Sequence, residues 1–172
     1  MNSAVKSMLS RYNPKTIEAH KYALKEIIQE IALCGLFRAG FFEKAAFYGG
    51  TALRIFHSLP RFSEDLDFSL LKKDESFSLV PFCKEIRLEL AAYGFSVTVT
   101  EKEKSGETAI LSAFIKSDTL THLVNIASIK PPVSGVHSNE LLKIRLEVDT
   151  NPPSGAEYEV KYLLLEPHLK LI

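Results

Sequence analysis

The chain has 172 residues, of which 46% are hydrophobic, and it carries 21 basic and 21 acidic residues. This length and composition suffice for one well-packed domain and exclude a disordered chain. The balanced charge creates no global attraction to nucleic acid or to a membrane, so a nucleic-acid partner would require a local basic patch.

Cysteine usage and the lack of long apolar segments bear on the compartment. Cys34 and Cys83 lie far apart without ligand-like spacing, which argues against a disulfide framework and a zinc site. The N-terminal residues lack the apolar core of a signal peptide, and no apolar run approaches the roughly 20 residues that a membrane helix needs. We therefore expect a soluble, cytoplasmic protein with two ordinary thiols and no membrane partner.

The hydrophobic pattern predicts helices and strands in the first half of the chain and mainly strands in the second. Asn13 and Pro14 are expected to cap the first helix, and Gly35 and Gly40 are expected to break the chain after it. The predicted helices run from Pro14 to about Ala32, from Thr51 to about His57 and from about Ser78 to Tyr93. The predicted strands cover 45–48, 61–71, 95–100, 109–115, 121–129, 142–150 and 159–165, with a turn at 104–106. This order predicts an α+β fold with helices packed on a mixed or largely antiparallel sheet.

Two glycines lie where a strand is expected to turn into a helix. Gly49 and Gly50 permit close approach of another group to the backbone, and the free N–H groups of a helix that begins near Thr51 offer an anion site. Such a site suits phosphate. The alternative is a tight turn without a ligand, because glycine is common in turns generally.

An acidic pair follows the glycines, with fourteen residues between Gly50 and Asp65. In the alternating segment, Leu66 and Phe68 occupy one face, and Asp65 and Asp67 occupy the other. Both carboxylates are therefore within reach of one hard cation such as Mg²⁺, which would offset their repulsion. The alternative is a solvated strand face. One short helix and a return to the sheet can set the carboxylates opposite the glycine turn.

The apolar residue, Gly-Gly, helix-length gap and Asp-apolar-Asp-apolar pattern resembles the polymerase-beta-like nucleotidyltransferase superfamily. Within it, GGTALR at 49–54 and RFSEDLDF at 61–68 resemble the AbiEii/AbiGii toxin family. The resemblance implies a nucleotidyltransferase-like fold and transfer of a nucleotidyl group from a nucleoside triphosphate (NTP). It also implies that Gly49, Gly50 and Thr51 lie at the phosphates and that Asp65 and Asp67 bind Mg²⁺.

Three further residues match family positions, and the resemblance implies that they contribute to nucleotide binding. They are Arg54, Arg61 and Ser63. Arginine suits phosphate, and Ser63 lies two residues before the first carboxylate. Structural alternatives exist for each: Arg54 can pair with an acidic neighbour, Arg61 can brace the loop, and Ser63 can cap a turn.

Members of the superfamily often take a third catalytic carboxylate from a neighbouring strand. In the segment 143–149 the apolar residues face the core, which leaves Arg145, Glu147 and Asp149 on the other side. Asp149, close to the strand end, is the preferred candidate, and Glu147 is the second. The alternative is again a solvated strand face.

Family members typically continue into a helical C-terminal half, which carries a lysine in an AxK-type helix and an Arg-Asp-x-x-Asp motif. Residues 94–172, which follow the predicted helices, contain neither motif. We therefore expect residues 1–172 to form a single nucleotidyltransferase-like domain without that helical half. Taken alone, this chain is expected to bind a nucleotide weakly and to transfer it poorly or not at all.

Two hypotheses for function follow. The first is a Mg²⁺-dependent nucleotidyltransferase, the toxin of a toxin–antitoxin or phage-defence pair, with tRNA or a protein as acceptor and an antitoxin as partner. The second is a non-catalytic module that retains the fold and binds a nucleotide or a protein partner.

Overall fold

A computed structural model describes residues 2–102, 108–131 and 133–163. Its helices are α1 (Ser3–Tyr12), α2 (Ile17–Arg38), α3 (Gly49–His57), α4 (Val80–Ala92) and α5 (Thr119–Asn125), with a short 3-10 helix at Phe41–Glu43. Its strands are β1 (Ala45–Tyr48), β2 (Asp65–Leu70), β3 (Thr98–Glu101), β4 (Ile110–Asp118) and β5 (Leu141–Asp149). Within these ranges, no helix has both the length and the apolar character needed to cross a membrane.

The five strands form one sheet in the order β1-β2-β5-β4-β3. Strands β2 and β5 are parallel, and the other three neighbouring pairs are antiparallel. The sheet is therefore mixed, and the prediction of an α+β fold is confirmed.

The core lies on one face of this sheet. Alternate side chains of the strands are buried on that face, among them Leu66, Phe68, Leu111, Ala113, Ile115, Ile144, Leu146 and Val148. Helix α2, which is buried along most of its length, packs against α4 and β5. The remaining strand positions carry the polar side chains and are only partly buried on β2 and at the end of β5. The alternation thus separates an apolar core from a polar face that carries the acidic pair.

Gly35 lies inside α2, so the prediction that it breaks the helix is wrong. A Cβ at Gly35 would lie 3.1 Å from the Cβ of Glu89 and 3.3 Å from the Cα of Ile86, both in α4. The two helices approach closely at this position, which a larger residue would hinder. The helix therefore continues to Arg38.

The N-terminal residues form a helix that the hydrophobic pattern did not predict. Asn2 caps α1 with its side chain, and Asn13 ends the helix in a left-handed conformation with φ 41°. Helix α2 has its own cap, because the Thr16 side chain accepts a hydrogen bond from the backbone of Ala19. The prediction that Asn13 and Pro14 cap α2 is therefore wrong.

Two predicted strands differ from the structure. The segment 121–129, predicted as a strand, instead contains most of α5. Residues 159–163 form no strand, and residues 164 and 165 lie outside the described residues, as does the predicted turn at 104–106. The other predicted strands and helices occur with shifts of a few residues at their ends.

Both cysteines are free and buried. Burial raises the pKa of the Cys34 and Cys83 thiols to about 11 each, so both remain protonated at neutral pH. This agrees with the prediction of two ordinary thiols.

Candidate active site

A row of polar side chains crosses the open face of the sheet. Tyr48 of β1 pairs with Asp67 of β2, Asp67 pairs with Glu147 of β5, and Glu147 pairs with Ser112 of β4. Asp65 lies next to this row and pairs with Arg145. The register therefore brings together residues from four strands that are distant in sequence.

The glycine turn lies directly against this row. Helix α3 begins at Gly49, immediately after β1, and Gly49 has a φ of 81° that L side chains rarely adopt. A Cβ at Gly49 would lie 2.5 Å from Oδ2 of Asp67, and one at Gly50 would lie 2.9 Å from Oγ of Ser63. Both positions are thus too close to neighbouring side chains to carry a side chain without displacement.

Thr51 fixes the start of α3 against β2. Its side chain is buried, and its hydroxyl donates a hydrogen bond to the backbone carbonyl of Asp65. The N-cap residue Tyr48 makes no side-chain hydrogen bond to the helix. The first N–H groups of α3 therefore have no side-chain cap, and the N-terminal end of such a helix favours an anion.

Arg145 bridges two of the carboxylates. Its Nη2 lies 2.7 Å from Oδ2 of Asp65, and its Nη1 lies 3.2 Å from Oε1 of Glu147. Oε1 of Glu147 also accepts a hydrogen bond of 3.1 Å from the Ser112 hydroxyl. The guanidinium is thereby held over the acidic face, and the hydrogen bond to Asp65 is the main cause of the raised pKa of Arg145.

Negative charge nevertheless exceeds positive charge around Asp67. Burial raises the pKa of the Asp67 carboxyl, and the charges of Asp65 and Glu147 raise it further, while Arg145 lowers it. The pKa of Tyr48 is raised as well, first by burial and then by the charges of Asp67, Asp149 and Glu147. Such an arrangement favours the binding of a cation.

The donor set suits Mg²⁺. Asp65 and Asp67 supply hard carboxylate oxygens from one strand face. In the described ranges, no three His, Cys, Asp or Glu side chains are grouped closely enough to hold a metal ion together. Mg²⁺ is commonly bound by one or two carboxylates, with substrate phosphates and water completing its shell, so two carboxylates fit this pattern.

The two candidates for a third carboxylate have different neighbours. Glu147 pairs with Asp67, whereas Asp149 pairs with Ser69, two residues further along β2. Oδ1 of Asp149 also accepts a hydrogen bond of 2.8 Å from the backbone N–H of Asn151. The register therefore favours Glu147 over Asp149.

The three remaining predicted residues differ in their surroundings. Arg54 forms an ion pair of 2.6 Å with Glu26 and donates hydrogen bonds to the carbonyls of Leu59 and Pro60, which supports the structural alternative. Arg61 is exposed, and its side chain has no hydrogen-bond or ion-pair partner within the described ranges. Ser63 packs against the glycine turn, and its carbonyl accepts a hydrogen bond of 3.0 Å from Gln29.

The sequence alone did not point to Arg145 or Tyr48 as members of the site. Arg145 alternates with Glu147 and Asp149 along β5, so its face was predictable, but its contact with Asp65 joins residues 80 positions apart. Tyr48 directly precedes Gly49. Its position at the end of the strand that leads into the glycine turn is the sequence signal from which Tyr48 could have been predicted as part of the site.

Comparisons with known proteins assign the chain to a family. The model of the family described as nucleotidyl transferase AbiEii toxin, type IV toxin–antitoxin system, matches residues 31–167. A crystal structure of a protein from H. pylori, provisionally assigned as a nucleotidyltransferase, has a TM-score of 0.47 and 18% sequence identity. The similarity covers 80% of this chain and 49% of that chain, so this chain spans about half the length of that structure. No curated protein matches the sequence. Because the family match covers most of the chain, and the glycine turn and acidic row lie within it, this chain belongs to the AbiEii nucleotidyl transferase toxin family.

Proposed function

We propose that this chain is a Mg²⁺-dependent nucleotidyltransferase that transfers a nucleotidyl group from an NTP to an RNA or protein acceptor. As a member of its family, it would act as the toxin of a toxin–antitoxin or phage-defence pair, with an antitoxin as partner. The observation that supports this most is the contact of the glycine turn with Asp67, since a Cβ at Gly49 would lie 2.5 Å from the carboxylate. A phosphate site and a metal site would then be adjacent.

The start of α3 would bind the triphosphate. Gly49, Gly50 and Thr51 present backbone N–H groups at a helix N-terminus without a side-chain cap, where the helix dipole favours an anion. Because Thr51 already uses its hydroxyl on the Asp65 carbonyl, it would contribute to phosphate binding through its backbone. Ser63 and the exposed Arg61 lie on the segment that enters β2 and would contact the nucleotide from the other side of the turn.

Asp65 and Asp67 would hold Mg²⁺ beside the phosphates. When bound, Mg²⁺ polarises the phosphoryl group and stabilises negative charge on it. Glu147 lies beside Asp67 and would act as the third catalytic carboxylate, since a carboxylate next to the metal can accept the proton of the acceptor hydroxyl. Asp149, the candidate favoured by the sequence, is two residues further along the strand.

Label transfer tests this function. The purified chain is incubated with each of the four α-³²P NTPs, Mg²⁺ and either total RNA or cell lysate. We expect covalent label on an acceptor with the wild type, at low yield, and none with Asp65→Asn or Asp67→Asn. Labelling by both variants at the wild-type level would contradict the assignment of the metal site.

The alternative function is a non-catalytic module that binds a nucleotide or a partner. One observation favours it: the guanidinium of Arg145 already engages Asp65 at 2.7 Å, so one of the two metal ligands is paired within the protein. Such a module would bind NTP without leaving label on any acceptor. Equilibrium dialysis with the same NTPs, run beside the transfer assay, separates the two functions.

A further inference from the structure

The side chain of Arg145 occupies the position where a cation would neutralise the acidic face. It contacts Asp65 and Glu147 through two different nitrogens, at 2.7 Å and 3.2 Å. In the described part of the chain, no other lysine or arginine forms an ion pair with either carboxylate. Arg145 is thus the internal counter-ion of the site.

The neighbouring basic residues are directed elsewhere. Lys143 lies two residues earlier on the same face of β5, and its Nζ lies 4.2 Å from the centroid of the Phe114 ring. Lys116 of β4 approaches the same ring, at 5.5 Å. On this face of the sheet, Lys116 and Lys143 therefore lie to one side of Arg145, and Asp67 and Glu147 lie to the other.

This contact competes with a metal ion. Mg²⁺ requires close contact with its oxygen ligands in a near-octahedral arrangement, which a guanidinium bonded to the same carboxylate obstructs. The pair is also not tightly enclosed, because the Arg145 side chain is 43% exposed and that of Asp65 is 35% exposed. Ion pairs this exposed are weak enough to exchange.

The guanidinium has a second suitable partner beside the site. Arginine binds phosphate through two parallel hydrogen bonds, and its fixed positive charge does not depend on pH in the physiological range. A triphosphate bound at the start of α3 would lie beside Asp67, the residue next to Asp65 and Glu147 on the sheet. Arg145 lies on β5, the strand next to β2, and rotation about its side-chain bonds is the motion that would exchange carboxylate for phosphate.

We propose that Arg145 is an exchangeable counter-ion that couples metal binding to nucleotide binding. Without nucleotide, its guanidinium holds Asp65 and Glu147 and weakens binding of a free divalent cation. With nucleotide, it turns to the triphosphate and leaves the carboxylates to the metal. The site thus selects a metal–nucleotide complex over the free metal. This inference rests on the proposed function.

The test measures Mn²⁺ binding by electron paramagnetic resonance, with and without a non-hydrolysable NTP analogue, and needs no turnover. Without nucleotide, Arg145→Met should bind Mn²⁺ about tenfold more tightly than the wild type, since the competing charge-assisted hydrogen bonds are gone. Lys143→Met is the matched control: it removes one positive charge from the same strand face, and its Mn²⁺ affinity should change by less than about twofold.

The coupling between the two ligands is the second readout. In the wild type, the analogue should tighten Mn²⁺ binding about tenfold more than it does in Arg145→Met, because only the wild type releases a competitor when nucleotide binds. Equal Mn²⁺ affinities of Arg145→Met and the wild type without nucleotide would overturn the proposal. If Arg145→Met does not fold, as judged by its circular dichroism spectrum, Arg145→Gln should tighten Mn²⁺ binding in the same direction, and failure to do so would overturn it equally.

Failure of this inference can be distinguished from failure of the proposed function. Suppose that Asp65→Asn and Asp67→Asn lose Mn²⁺ binding while Arg145→Met binds Mn²⁺ as the wild type does. This result would support the metal site and contradict the proposed role of Arg145. If no form of the protein binds Mn²⁺, with or without the analogue, the proposed function and the role of Arg145 are both contradicted.

Discussion

A Cβ added to Gly49 would lie 2.5 Å from Oδ2 of Asp67. Real Cβ atoms essentially never come this close to another heavy atom, so the first residue of α3 and the second aspartate of β2 are in contact only because one of them is glycine. The contact links the turn that would receive phosphate with the carboxylate that would hold the metal.

Replacing Gly49 with alanine should therefore affect stability and ligand binding together. The residue has a φ of 81°, which alanine adopts at a cost of about 1–2 kcal/mol, and the new methyl group must displace the Asp67 carboxylate. We expect Gly49→Ala to lower the free energy of unfolding by at least this amount and to weaken Mn²⁺ binding. Urea denaturation and a Mn²⁺ titration measure the two effects.

Gly135→Ala is the matched control for backbone strain. Gly135 has a φ of 78°, but a Cβ there would have no neighbour within 4 Å. This variant should lose about 1–2 kcal/mol of stability and keep the Mn²⁺ affinity of the wild type. Equal loss of Mn²⁺ binding in both variants would show that strain alone, and not the contact with Asp67, impairs the site.

The hydroxyl of Thr51 should be needed to hold α3 in place. Thr51→Val keeps the shape of the buried side chain but removes the donor to the Asp65 carbonyl, which should cost about 1–3 kcal/mol. Because the same bond sets the start of α3 beside β2, NTP affinity should fall as well. Thr51→Ser keeps the hydroxyl and should bind NTP more tightly than Thr51→Val, even where the two variants are equally stable. The reverse order of affinity would refute this role of the hydroxyl.

The raised pKa of Asp67 predicts an unusual dependence of stability on pH. Burial, followed by the charges of Asp65 and Glu147, raises the folded-state pKa above its ordinary value of 3.8, so the folded state holds this proton more tightly than the unfolded state does. The contribution of Asp67 to stability therefore falls as pH rises from about 3.8 through the raised pKa, and it stays unfavourable at neutral pH. Asp67→Asn should be more stable than the wild type at pH 7, with the difference vanishing below the unfolded pKa.

Asp74 provides a control of opposite sign for that measurement. Hydrogen bonds from the Ser76 hydroxyl and backbone lower the pKa of the exposed Asp74 carboxyl. The stability it contributes is present above the unfolded pKa and is lost as pH falls through the lowered folded pKa. Asp74→Asn should therefore be less stable than the wild type at pH 7. Urea unfolding between pH 3 and 7 measures both differences, and a shift of the same sign in both variants would contradict these assignments.

Local sequence patterns were sufficient to predict those parts of the site whose residues lie close together in sequence. The alternation in β2 placed Asp65 and Asp67 on one face, because successive residues of a strand point to opposite sides. The contact of Arg145 with Asp65 was not predictable in this way, since it depends on the parallel pairing of β2 with β5. The choice between Glu147 and Asp149 depends on the same register, which no local pattern specifies.

The wrong predictions about the fold also have specific physical causes. The β-branched residues of 121–129 favour a strand, but the Asp118 side chain accepts a hydrogen bond of 2.6 Å from the backbone of Thr121 and starts α5 there. A glycine such as Gly35 predicts the end of a helix, but Gly35 lies inside α2, where α2 and α4 approach closely. In both cases a capping or packing contact outweighs the intrinsic preference of the residues.

Arg54 has two candidate roles, one in nucleotide binding and one in the structure of the loop after α3. Its resemblance to a family position implies nucleotide binding, whereas the structure pairs its Nε with Glu26 at 2.6 Å, with side-chain exposures of 23% for Arg54 and 11% for Glu26. If the role is structural, a double-mutant cycle of Arg54→Met and Glu26→Gln should give a coupling energy of about 1–2 kcal/mol in the free energy of unfolding.

Nucleotide affinity separates the two roles of Arg54. The pair braces the loop after α3, since Arg54 also donates hydrogen bonds to the carbonyls of Leu59 and Pro60. If Arg54 acts only through this brace, Arg54→Met and Glu26→Gln should weaken NTP binding by similar, small factors, because both disrupt the same ion pair. If Arg54 binds the triphosphate, Arg54→Met should weaken binding about tenfold or more through loss of a charge-assisted hydrogen bond, and Glu26→Gln should not. In equilibrium dialysis with the wild type as reference, we expect similar, small effects of the two variants. A large effect of Arg54→Met alone would show that Arg54 binds the nucleotide.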